Sequence, residues 1–469
     1  MATKTHFLLS TPPKPPYLPL YPSSSSLPSK PRSFSISFCL SINQSRNDQT
    51  ASSSSTASKA PERVHVAFAA GGTGGHIYPA VAIADELKLV NPTCKVLFLG
   101  CPDSMESTAI PSAHFEFKSI PAVQLARPFS SPQNLFLPYR LIKSIIKSYT
   151  LLSKFEPHIV IGTGGYVSFP VCLAALLQRT KLVIQEQNSV PGIANWVLSF
   201  FADLVFVAFN STVECFPRKE KCVVCGNPVR LSLKGLASKA VSRLHFFPEL
   251  AKMEGSSEEV KVILVLGGSL GANAVNIALL NVYSQLLLEH KNWFIIWQTG
   301  VESFNEMESL VRNHRQLLLT PKIGYKDDVE KTMRRNMCYF MSHKDMFLHS
   351  MELAYAAADL IISRAGAMTC SEILATGKPS ILIPSPNVAE GHQFRNASLM
   401  ADVAGSMVIT EDELDSTTLG TAISEILGDE NLLTEMSERA LKAAKLDASA
   451  EIAKHILSLV NLSAVKEKQ

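Results

Sequence analysis

Two glycine-rich turns constrain the fold of this chain more than any other feature of its sequence. The first, Ala70–His76, follows the apolar segment Val64–Ala69, and the second, Gly267–Ala272, follows the apolar segment Lys261–Leu266. Each turn stands between a predicted strand and a predicted helix, where glycine permits a tight backbone and the close approach of a ligand. The sequence therefore predicts two α/β units that begin alike.

Short apolar strands alternate with helical segments on both sides of a polar stretch, 231–259. This alternation predicts an α/β fold of two doubly wound domains, each with a parallel sheet covered by helices on both faces. We place a leader at 1–60, an N-terminal domain at 61–228, a linker at 229–260, a C-terminal domain at 261–430 and C-terminal helices at 431–469. The predicted strands are Val64–Ala69, Lys95–Leu99, Ile159–Gly162, Leu182–Gln185, Lys261–Leu266, Phe294–Gln298, Leu360–Ser363 and Ser380–Ile383. The predicted helices are Pro79–Leu89, Asn134–Ser153, Val167–Leu177, Ile193–Phe200, Ala272–Leu288, Thr369–Thr376, His392–Asp402, Asp412–Leu427 and Leu432–Leu459.

The first 60 residues differ in composition from the rest of the chain. They hold 16 Ser, eight Pro, six Lys or Arg and one acidic residue, Asp48. A segment so poor in apolar residues cannot offset the entropy of ordering. Ser-rich, basic and acid-poor sequence is typical of an organelle transit peptide, and the proline clusters favour a chloroplast address. The alternative is an N-terminal extension without a targeting role.

The charge balance excludes some classes of function. The whole chain carries a net charge of +3, whereas residues 61–469 carry two net negative charges. Such a near-neutral body argues against a nucleic-acid-binding protein, which would show a basic stripe. No apolar run approaches the roughly 18 residues that a membrane-spanning helix needs.

The nine cysteines are scattered along the chain, which is not the pattern of a disulfide framework. Cys222 and Cys225 form a single C-x-x-C on a predicted strand, where residues three apart face opposite sides of the sheet. We interpret them as buried thiols, with a redox pair as the alternative.

The glycine turns also suggest a ligand. The helix that follows each turn offers free N–H groups and the positive end of its dipole, which suit a phosphate. Neither turn matches G-x-G-x-x-G, so a dinucleotide fingerprint is absent. A third glycine turn, Gly162–Tyr166, also follows a strand. Open α/β sheets bind ligands at the carboxyl ends of their strands, where all three turns are predicted to lie.

Seven short motifs occur together and in order: Ala70–His76, Gly164–Val167, Glu186–Asn188, Gly226–Arg230, Gly267–Ala272, Arg364–Glu372 and Gln393–Ala397. In this combination the chain resembles the MurG family of bacterial peptidoglycan glycosyltransferases, of glycosyltransferase family 28, from about Val64 to the C-terminus. The resemblance implies the GT-B fold, in which two Rossmann-like domains face each other across a cleft. It also implies inverting transfer of N-acetylglucosamine from UDP-N-acetylglucosamine to lipid I, giving lipid II.

The resemblance implies that the C-terminal domain binds the donor, UDP-N-acetylglucosamine, and that residues of the first glycine turn also contact it. The diphosphate needs its charge neutralised, and no two aspartates lie two residues apart as in the Asp-x-Asp motif of metal-using enzymes. We therefore expect no metal and no cofactor, with Arg230 and helix N-termini holding the diphosphate. Glu372 is expected to accept the ribose hydroxyls, His392 and Gln393 to grip the sugar, and Leu348 to meet uracil through its backbone. The predicted donor-binding residues are Thr73, Gly74, Gly75, Asn188, Arg230, Gly268, Ser269, Leu348, Glu372, His392 and Gln393.

His76 is the strongest catalytic candidate. Its ordinary pKa suits removal of a proton from the acceptor hydroxyl near neutral pH. The alternative is a histidine that binds the acceptor phosphate or caps the helix. Glu186 is a second candidate base or a ligand of the acceptor sugar, and Asn188 is predicted beside it. The predicted acceptor-binding residues are Gly71, Gly72, Gly164, Gly165 and Tyr166.

The segment Leu135–Lys154 is largely apolar but carries Arg140, Lys143, Lys147 and Lys154. It resembles the membrane-facing patch of the family, and a basic amphipathic helix can lie on an anionic bilayer. The alternative is an ordinary surface helix that packs its apolar face inward. Together with the leader, this predicts a protein peripheral to the inner envelope or thylakoid membrane on the stromal side of the chloroplast.

Two positions depart from the bacterial pattern. Gln185 stands where the family's His-Glu-Gln-Asn motif has histidine, and Leu270 stands where the second turn usually has glutamine. These differences motivate an alternative, a non-catalytic protein that binds UDP-sugars. A galactolipid synthase of the same superfamily is another alternative, and a nicotinamide oxidoreductase is disfavoured by the missing G-x-G-x-x-G.

Overall fold

Two parallel β-sheets form the centres of two lobes. The structure is a computed structural model that describes residues 63–122, 124, 131–230, 237–252, 259–268, 271–312, 314–321, 351–388 and 391–466. Among these residues the sheet of the N-terminal lobe has the strand order β3-β2-β1-β4-β5-β6-β7. Its strands are β1 His65–Ala70, β2 Lys95–Gly100, β3 Glu116–Ser119, β4 Ile159–Gly164, β5 Lys181–Glu186, β6 Leu204–Val207 and β7 Cys222–Val224.

The sheet of the C-terminal lobe repeats this arrangement, with the order β10-β9-β8-β11-β12-β13 in the described residues. Its strands are β8 Lys261–Leu266, β9 Trp293–Gln298, β10 Leu317–Thr320, β11 Leu360–Ser363, β12 Ser380–Leu382 and β13 Met407–Val408. In each lobe the strand order reverses beside the first strand, at β1/β4 and at β8/β11. Open α/β sheets place their ligand crevice at this reversal, so each lobe has one.

Helices cover both faces of each sheet, as the alternation in the sequence predicts. In the N-terminal lobe they are α1 Gly74–Val90, α2 Met105–Ser112, α3 Leu137–Phe155 after the 3₁₀ turn Pro132–Phe136, α4 Gly165–Leu177, α5 Ile193–Ser199 and α6 Asn210–Val213. The helices that follow β7 along the chain are α7 Lys239–Phe246, α8 Asn273–Glu289, α9 Phe304–Leu310, α10 Met351–Ala357, α11 Ala367–Thr376, α12 His392–Ala404, α13 Ser416–Gly428, α14 Glu430–Ala443 and α15 Ala448–Lys466.

Each sheet separates two apolar cores, since successive side chains of a strand point to opposite faces. On β1, Val66 and Phe68 enter one core while Ala67 and Ala69 enter the other. The six residues of β8 are buried, as expected for a strand covered on both sides.

The last helix returns to the N-terminal lobe. Ile452, Ala453 and Ile456 of α15 are fully buried against the core that also contains Val66. Lys181 Nζ, at the start of β5, donates to Leu459 O at 3.0 Å. The predicted helix Asp412–Leu427 is present, but the predicted helix Leu432–Leu459 is two helices, α14 and α15, because the backbone is extended at Ala444. No local pattern in the sequence indicates that α15 ends on the other lobe.

All eight predicted strands are confirmed to within two residues, but helix α1 begins at Gly74 and not at Pro79. Pro79 lies inside the helix, one turn after its start. His76 N and Ile77 N both donate to Thr73 O, which starts the helix earlier. His76 therefore lies in the first turn of α1.

The stretch predicted as a linker, 229–260, contains helix α7. Phe247 beyond this helix packs with Val229 in a core of the C-terminal lobe. Arg243 of α7 donates from its guanidinium to Asp359, just before β11. This part of the interval is thus attached to the C-terminal lobe by packing and by an ion pair.

The seven cysteines within the described residues are free thiols. Cys222 packs against the core on one face of the N-terminal sheet and Cys225 lies in the core on the other face. The prediction that the two face opposite sides is confirmed. Burial raises the pKa of both thiols, that of Cys225 to about 12, so neither is a reactive thiolate near neutral pH.

Candidate active site

The first and third glycine turns touch each other at the carboxyl ends of β1 and β4. The register between these strands shifts at Ala69/Ala70, directly before the first turn. Gly165 has φ +77°, and a Cβ built on it would lie 2.3 Å from Gly71 O. This close backbone approach requires glycine at position 165 and fixes the two turns as one unit.

A buried carboxylate that the sequence analysis missed holds the first turn. Glu106 of α2 is fully buried, and its Oε2 accepts from Gly72 N at 3.2 Å while its Oε1 accepts from Cys101 N at 3.0 Å. Each oxygen thus satisfies a backbone N–H. Nothing in the local pattern signals this role, because Glu106 comes from a different βα unit than the turn.

His76 lies against the third turn. The position of a Cβ on Gly164 would be 2.9 Å from His76 Nδ1, and His76 Nδ1 itself lies 3.1 Å from Gln187 Oε1. Thr163 Oγ1 donates to His76 O at 2.8 Å. The structure therefore brings His76 to the predicted acceptor residues Gly164 and Gly165, and its ring is only half buried.

The remaining residues of the first turn are accessible to solvent to different extents: Thr73 is exposed, and Gly74 and Gly75 are half-buried. Thr73 precedes α1 with an extended backbone, is exposed, and makes no side-chain cap. Gly74 and Gly75 form the first two residues of the helix, whose N–H groups point out of its N-terminus. Tyr166 packs its ring over Gly72, and burial raises the pKa of its phenol.

Glu186 serves the turn that follows β5. It is 2% exposed, and its two oxygens accept four hydrogen bonds. The donors are Asn188 N at 2.9 Å, Asn188 Nδ2 at 3.1 Å, Gly192 N at 3.1 Å and Asn195 Nδ2 at 2.8 Å. This arrangement assigns Glu186 to holding the turn, so the geometry favours His76 over Glu186 as the base.

In the C-terminal lobe the second turn bends tightly over β9. Gly267 N donates to Gln298 O at 2.9 Å, and Gln298 Nε2 donates to Gly268 O at 3.3 Å. Gly268 has φ +76°, and no atom of the described residues other than its chain neighbours lies within 4 Å of the place where its Cβ would be. Ser269 and Leu270 lie outside the described residues, as does Leu348.

Arg230 and Glu372 meet, as their predicted roles require. Arg230 Nε lies 3.6 Å from Glu372 Oε1. The guanidinium also sits 3.8 Å above the ring centre of Tyr78 on α1, a cation–π contact. Glu372 Oε2 accepts from the buried Tyr355 hydroxyl at 2.9 Å, and burial beside Glu372 raises the pKa of that hydroxyl. Tyr78 and Tyr355 are site residues that the sequence analysis missed.

His392 and Gln393 open helix α12 directly after Gly391. Gln393 Oε1 accepts from Ser385 N at 2.8 Å, which connects the start of α12 to the turn after β12. His392 is half buried at the N-terminus of the same helix. Both residues follow β12 and therefore lie at the carboxyl edge of the C-terminal sheet.

Two asparagines join the lobes beside this site. Asn227 Nδ2 donates to Ser371 Oγ at 2.9 Å, next to Glu372 on α11. Asn396 Oδ1 accepts from Ser189 N at 3.3 Å and from Ser189 Oγ at 3.0 Å. The described residues of both lobes belong to one compact unit.

The charged side chains of the site are not arranged as a metal centre. Within the described ranges, no three His, Cys, Asp or Glu side chains are grouped so that they could hold a metal ion.

In that same part of the chain, no helix is long and apolar enough to cross a membrane.

Comparison with known proteins agrees with this geometry. Residues 66–207 match the glycosyltransferase family 28 N-terminal domain, and residues 262–456 match the glycosyltransferase family 28 C-terminal domain. The UDP-N-acetylglucosamine--N-acetylmuramyl-(pentapeptide) pyrophosphoryl-undecaprenol N-acetylglucosamine transferases of Salinibacter ruber and Flavobacterium psychrophilum are each 36% identical to this chain. Each alignment covers 85% of this chain, with 97% of the first relative and 98% of the second. The crystal structure of Acinetobacter baumannii MurG is similar, with a TM-score of 0.60 and 27% identity over 84% of this chain and 99% of that one.

Proposed function

The chain belongs to glycosyltransferase family 28, and we propose that it transfers N-acetylglucosamine from UDP-N-acetylglucosamine to N-acetylmuramyl-(pentapeptide) pyrophosphoryl-undecaprenol. The reaction replaces the bond between the sugar's anomeric carbon and UDP by a bond to an acceptor hydroxyl, with inversion. Three tasks follow: removal of the hydroxyl proton, orientation of the sugar, and stabilisation of the departing diphosphate.

His76 is the residue that we assign to proton removal. It stands at the joined first and third turns, within the N-terminal lobe that the resemblance gives to the acceptor. A half-buried imidazole at this place can take the proton as the sugar bond forms. Asn188, at the end of β5, is held by Glu186 on the same edge of the sheet.

Arg230 and the second turn are assigned to the departing diphosphate. Gly267–Gly268 ends β8, and the neighbouring strand β11 leads through Gly366 into α11, which carries Glu372. Arg230 lies beside that helix, so its positive charge is fixed where a nucleoside diphosphate would lie across the turn. Fixed donors of this kind stabilise developing negative charge without reorganisation.

One observation supports the proposal most strongly. Arg230 contacts two side chains: Tyr78 of α1 and Glu372 of α11 in the other lobe. Helix α1 also carries His76. The predicted base and the predicted donor residues are thus connected through one side chain. Separate structural roles for these residues would not require that connection.

The test is transfer by the purified full chain with UDP-N-acetylglucosamine and a lipid I analogue, followed by UDP release and by the disaccharide product. UDP-galactose with diacylglycerol tests the galactolipid alternative, and EDTA is expected to leave the rate unchanged. His76→Ala should lower turnover by roughly 10²–10⁴. His290→Ala, in the turn before β9, is the matched control. A folded chain that binds UDP-sugar but gives no product with any acceptor would show a non-catalytic protein.

We also propose that α3 docks on an anionic bilayer. Two polar residues of the helix, Ser144 and Ser148, are buried together with Leu152. Two of its apolar residues, Ile142 and Ile146, are 56% and 62% exposed. The exposed basic residues Arg140, Lys143 and Lys147 and the exposed apolar residues Leu135, Phe136 and Tyr139 lie on the same segment. The helix also packs Ile145, Leu151 and Leu152 against the core, so its inward face alone does not account for the apolar residues on its outer face. Exposed apolar side chains flanked by cations suit the interface of an anionic membrane.

Co-sedimentation with vesicles tests this docking. Ile142→Glu with Ile146→Glu should abolish binding to vesicles that contain anionic lipid and leave transfer to a short-chain, soluble acceptor intact. Ile277→Glu, on an exposed position of α8, is the matched control. Equal binding by the double variant and the wild type would contradict the assignment.

A chloroplast location is proposed from composition alone, with the protein peripheral to the inner envelope or thylakoid membrane on the stromal side. The serine-rich, acid-poor segment 1–60 supports it. Residues 1–62 fused to a fluorescent protein should direct it into chloroplasts, whereas a fusion that begins at residue 63 should not. A fluorescent protein left in the cytosol by the first fusion would contradict the proposal.

A further inference from the structure

We propose that Gln187 is a positioning residue that fixes the tautomer of His76, so that Nδ1 carries the proton and Nε2 presents the lone pair. The inference rests on the proposed function only in calling His76 the base. It follows from the hydrogen-bonded side-chain amides of Gln185, Gln187 and Asn227, whose orientations are fixed by backbone carbonyl acceptors.

The orientation of the Gln187 amide is determined by its neighbours. Gln187 Nε2 lies 2.8 Å from Thr163 O and 3.2 Å from Gln185 O. Both are backbone carbonyls, which only accept hydrogen bonds. The NH₂ group must therefore face them, and Gln187 Oε1 must face His76 at 3.1 Å. The amide is 1% exposed, so no water exchange competes with this arrangement.

The backbone carbonyl of Gln187 fixes the orientation of a second amide, that of Asn227, and through it the orientation of Gln185. Asn227 Nδ2 donates to Gln187 O at 3.0 Å, so Asn227 Oδ1 is left as the acceptor. Gln185 Nε2 donates to Asn227 Oδ1 at 3.3 Å, which leaves Gln185 Oε1 to face Gln187 Nε2. The NH₂ group of Gln187 has two hydrogens for three neighbouring acceptors, so one hydrogen is shared between two of them. All three amides agree on one polarity, and a reversal of any one would put two like groups together.

The consequence falls on His76. An amide oxygen accepts, so the ring nitrogen 3.1 Å away has to be an N–H donor. With Nδ1 protonated, the neutral ring carries its lone pair on Nε2, which points away from Gln187. A histidine in the other tautomer cannot take a proton at Nε2, and in serine proteases a wrong tautomer alone lowers turnover about 10⁴-fold. A neutral partner also leaves the ring without the charge that a carboxylate would add.

Nuclear magnetic resonance tests the tautomer directly. The full chain is labelled with ¹⁵N in the histidine rings, and the His76 signals are identified by their loss in His76→Asn. Long-range ¹H–¹⁵N correlations at a pH where the ring is neutral should show Nδ1 protonated. Signals of the Nε2–H tautomer, or an average of the two, would overturn the inference.

Kinetics separates positioning from packing. Gln187→Met keeps the side-chain volume and removes the acceptor, so kcat should fall by about 10²-fold while KM for UDP-N-acetylglucosamine stays within about twofold. Gln285→Met, on the exposed face of α8, is the matched control. An unchanged kcat in folded Gln187→Met, or a change confined to KM, overturns the positioning role. Should Gln187→Met fail to fold, the wild-type spectrum decides the question.

The two proposals fail in different ways. A wild-type chain that shows the Nδ1–H tautomer but transfers no sugar contradicts the proposed function and supports the arrangement of His76. A chain that transfers sugar and shows the Nε2–H tautomer contradicts the inference alone.

Discussion

Replacing Gly165 by alanine tests whether the first and third turns form one rigid unit. The backbone there has φ +77°, which an L-residue adopts at a cost of roughly 1–2 kcal/mol. The new Cβ would also lie 2.3 Å from Gly71 O and 3.2 Å from His76 Cδ2. Relieving such an overlap costs roughly 1–3 kcal/mol, because the carbonyl belongs to the backbone and cannot rotate away. The expected loss of stability is therefore about 2–5 kcal/mol in all.

Activity should fall further than stability alone would explain. Any shift that makes room for the Cβ moves His76 or the turn before it, and a displacement of about 1 Å can cost 10²-fold in rate. We expect Gly165→Ala to lower kcat for the glycosyl transfer by about that factor under conditions where the variant is still folded. Thermal unfolding measures the stability, and the assay with the lipid I analogue measures kcat.

Gly192→Ala is the matched control, because it changes the same atoms in the same lobe. Gly192 has φ −66° and ψ 150°, and a Cβ there would have nothing within 4 Å. It should unfold at nearly the wild-type temperature and keep nearly the wild-type kcat. If Gly165→Ala matched the control in both measurements, the argument that the two backbones require this glycine would be refuted.

Three further changes are predicted from buried groups. Glu106→Gln should lower stability by about 1–3 kcal/mol in denaturant titrations. The two carboxylate oxygens accept from Gly72 N and from Cys101 N, whereas an amide has one oxygen and leaves one of these N–H groups without its acceptor. Burial, and then the neighbouring Glu86, raise the pKa of Asp85 from 3.8 to about 6, so ionisation costs stability as pH rises through that interval. Asp85→Asn should therefore raise stability at pH 7 by about 1 kcal/mol, discounted for partial exposure, and should flatten the pH dependence. Asn396→Ala removes the buried acceptor shared by Ser189 N and Oγ and should cost about 1–3 kcal/mol, seen as a lower denaturation midpoint.

Much of the fold was predictable because its strands are apolar on both faces. A segment such as Lys261–Leu266 reads as a buried strand without further context, and its bounds were predicted without error. The strand at Cys222 was predicted, but four short strands were not, since two to four residues are too few to show a period: Glu116–Ser119, Leu204–Val207, Leu317–Thr320 and Met407–Val408. Helix α1 begins at Gly74 and not at the predicted Pro79, because Thr73 O accepts from His76 N and Ile77 N.

The site divides along a similar line. The glycine turns, Arg230 and Glu372 were found because each is a local motif, and Arg230 does meet Glu372. Glu106 and Tyr355 were not found, because their roles come from contacts between distant segments of the chain. Helix α3 lies between these cases: its composition allowed two interpretations, and the structure shows apolar residues both against the core and on the exposed face.

The substitution at Gln185 argues for retained chemistry. A buried polar group without a hydrogen-bond partner lowers the stability of the fold by about 1–3 kcal/mol. Gln185 is fully buried, yet its Nε2 donates to Asn227 and its Oε1 accepts from Gln187. The amide therefore occupies a place in a continuous set of bonds that ends at His76 Nδ1. A neutral amide can keep that polarity at every pH, whereas a histidine at 185 would change its donors on protonation. In this chain, Gln185 thus takes part in the hydrogen bonds that orient the predicted base.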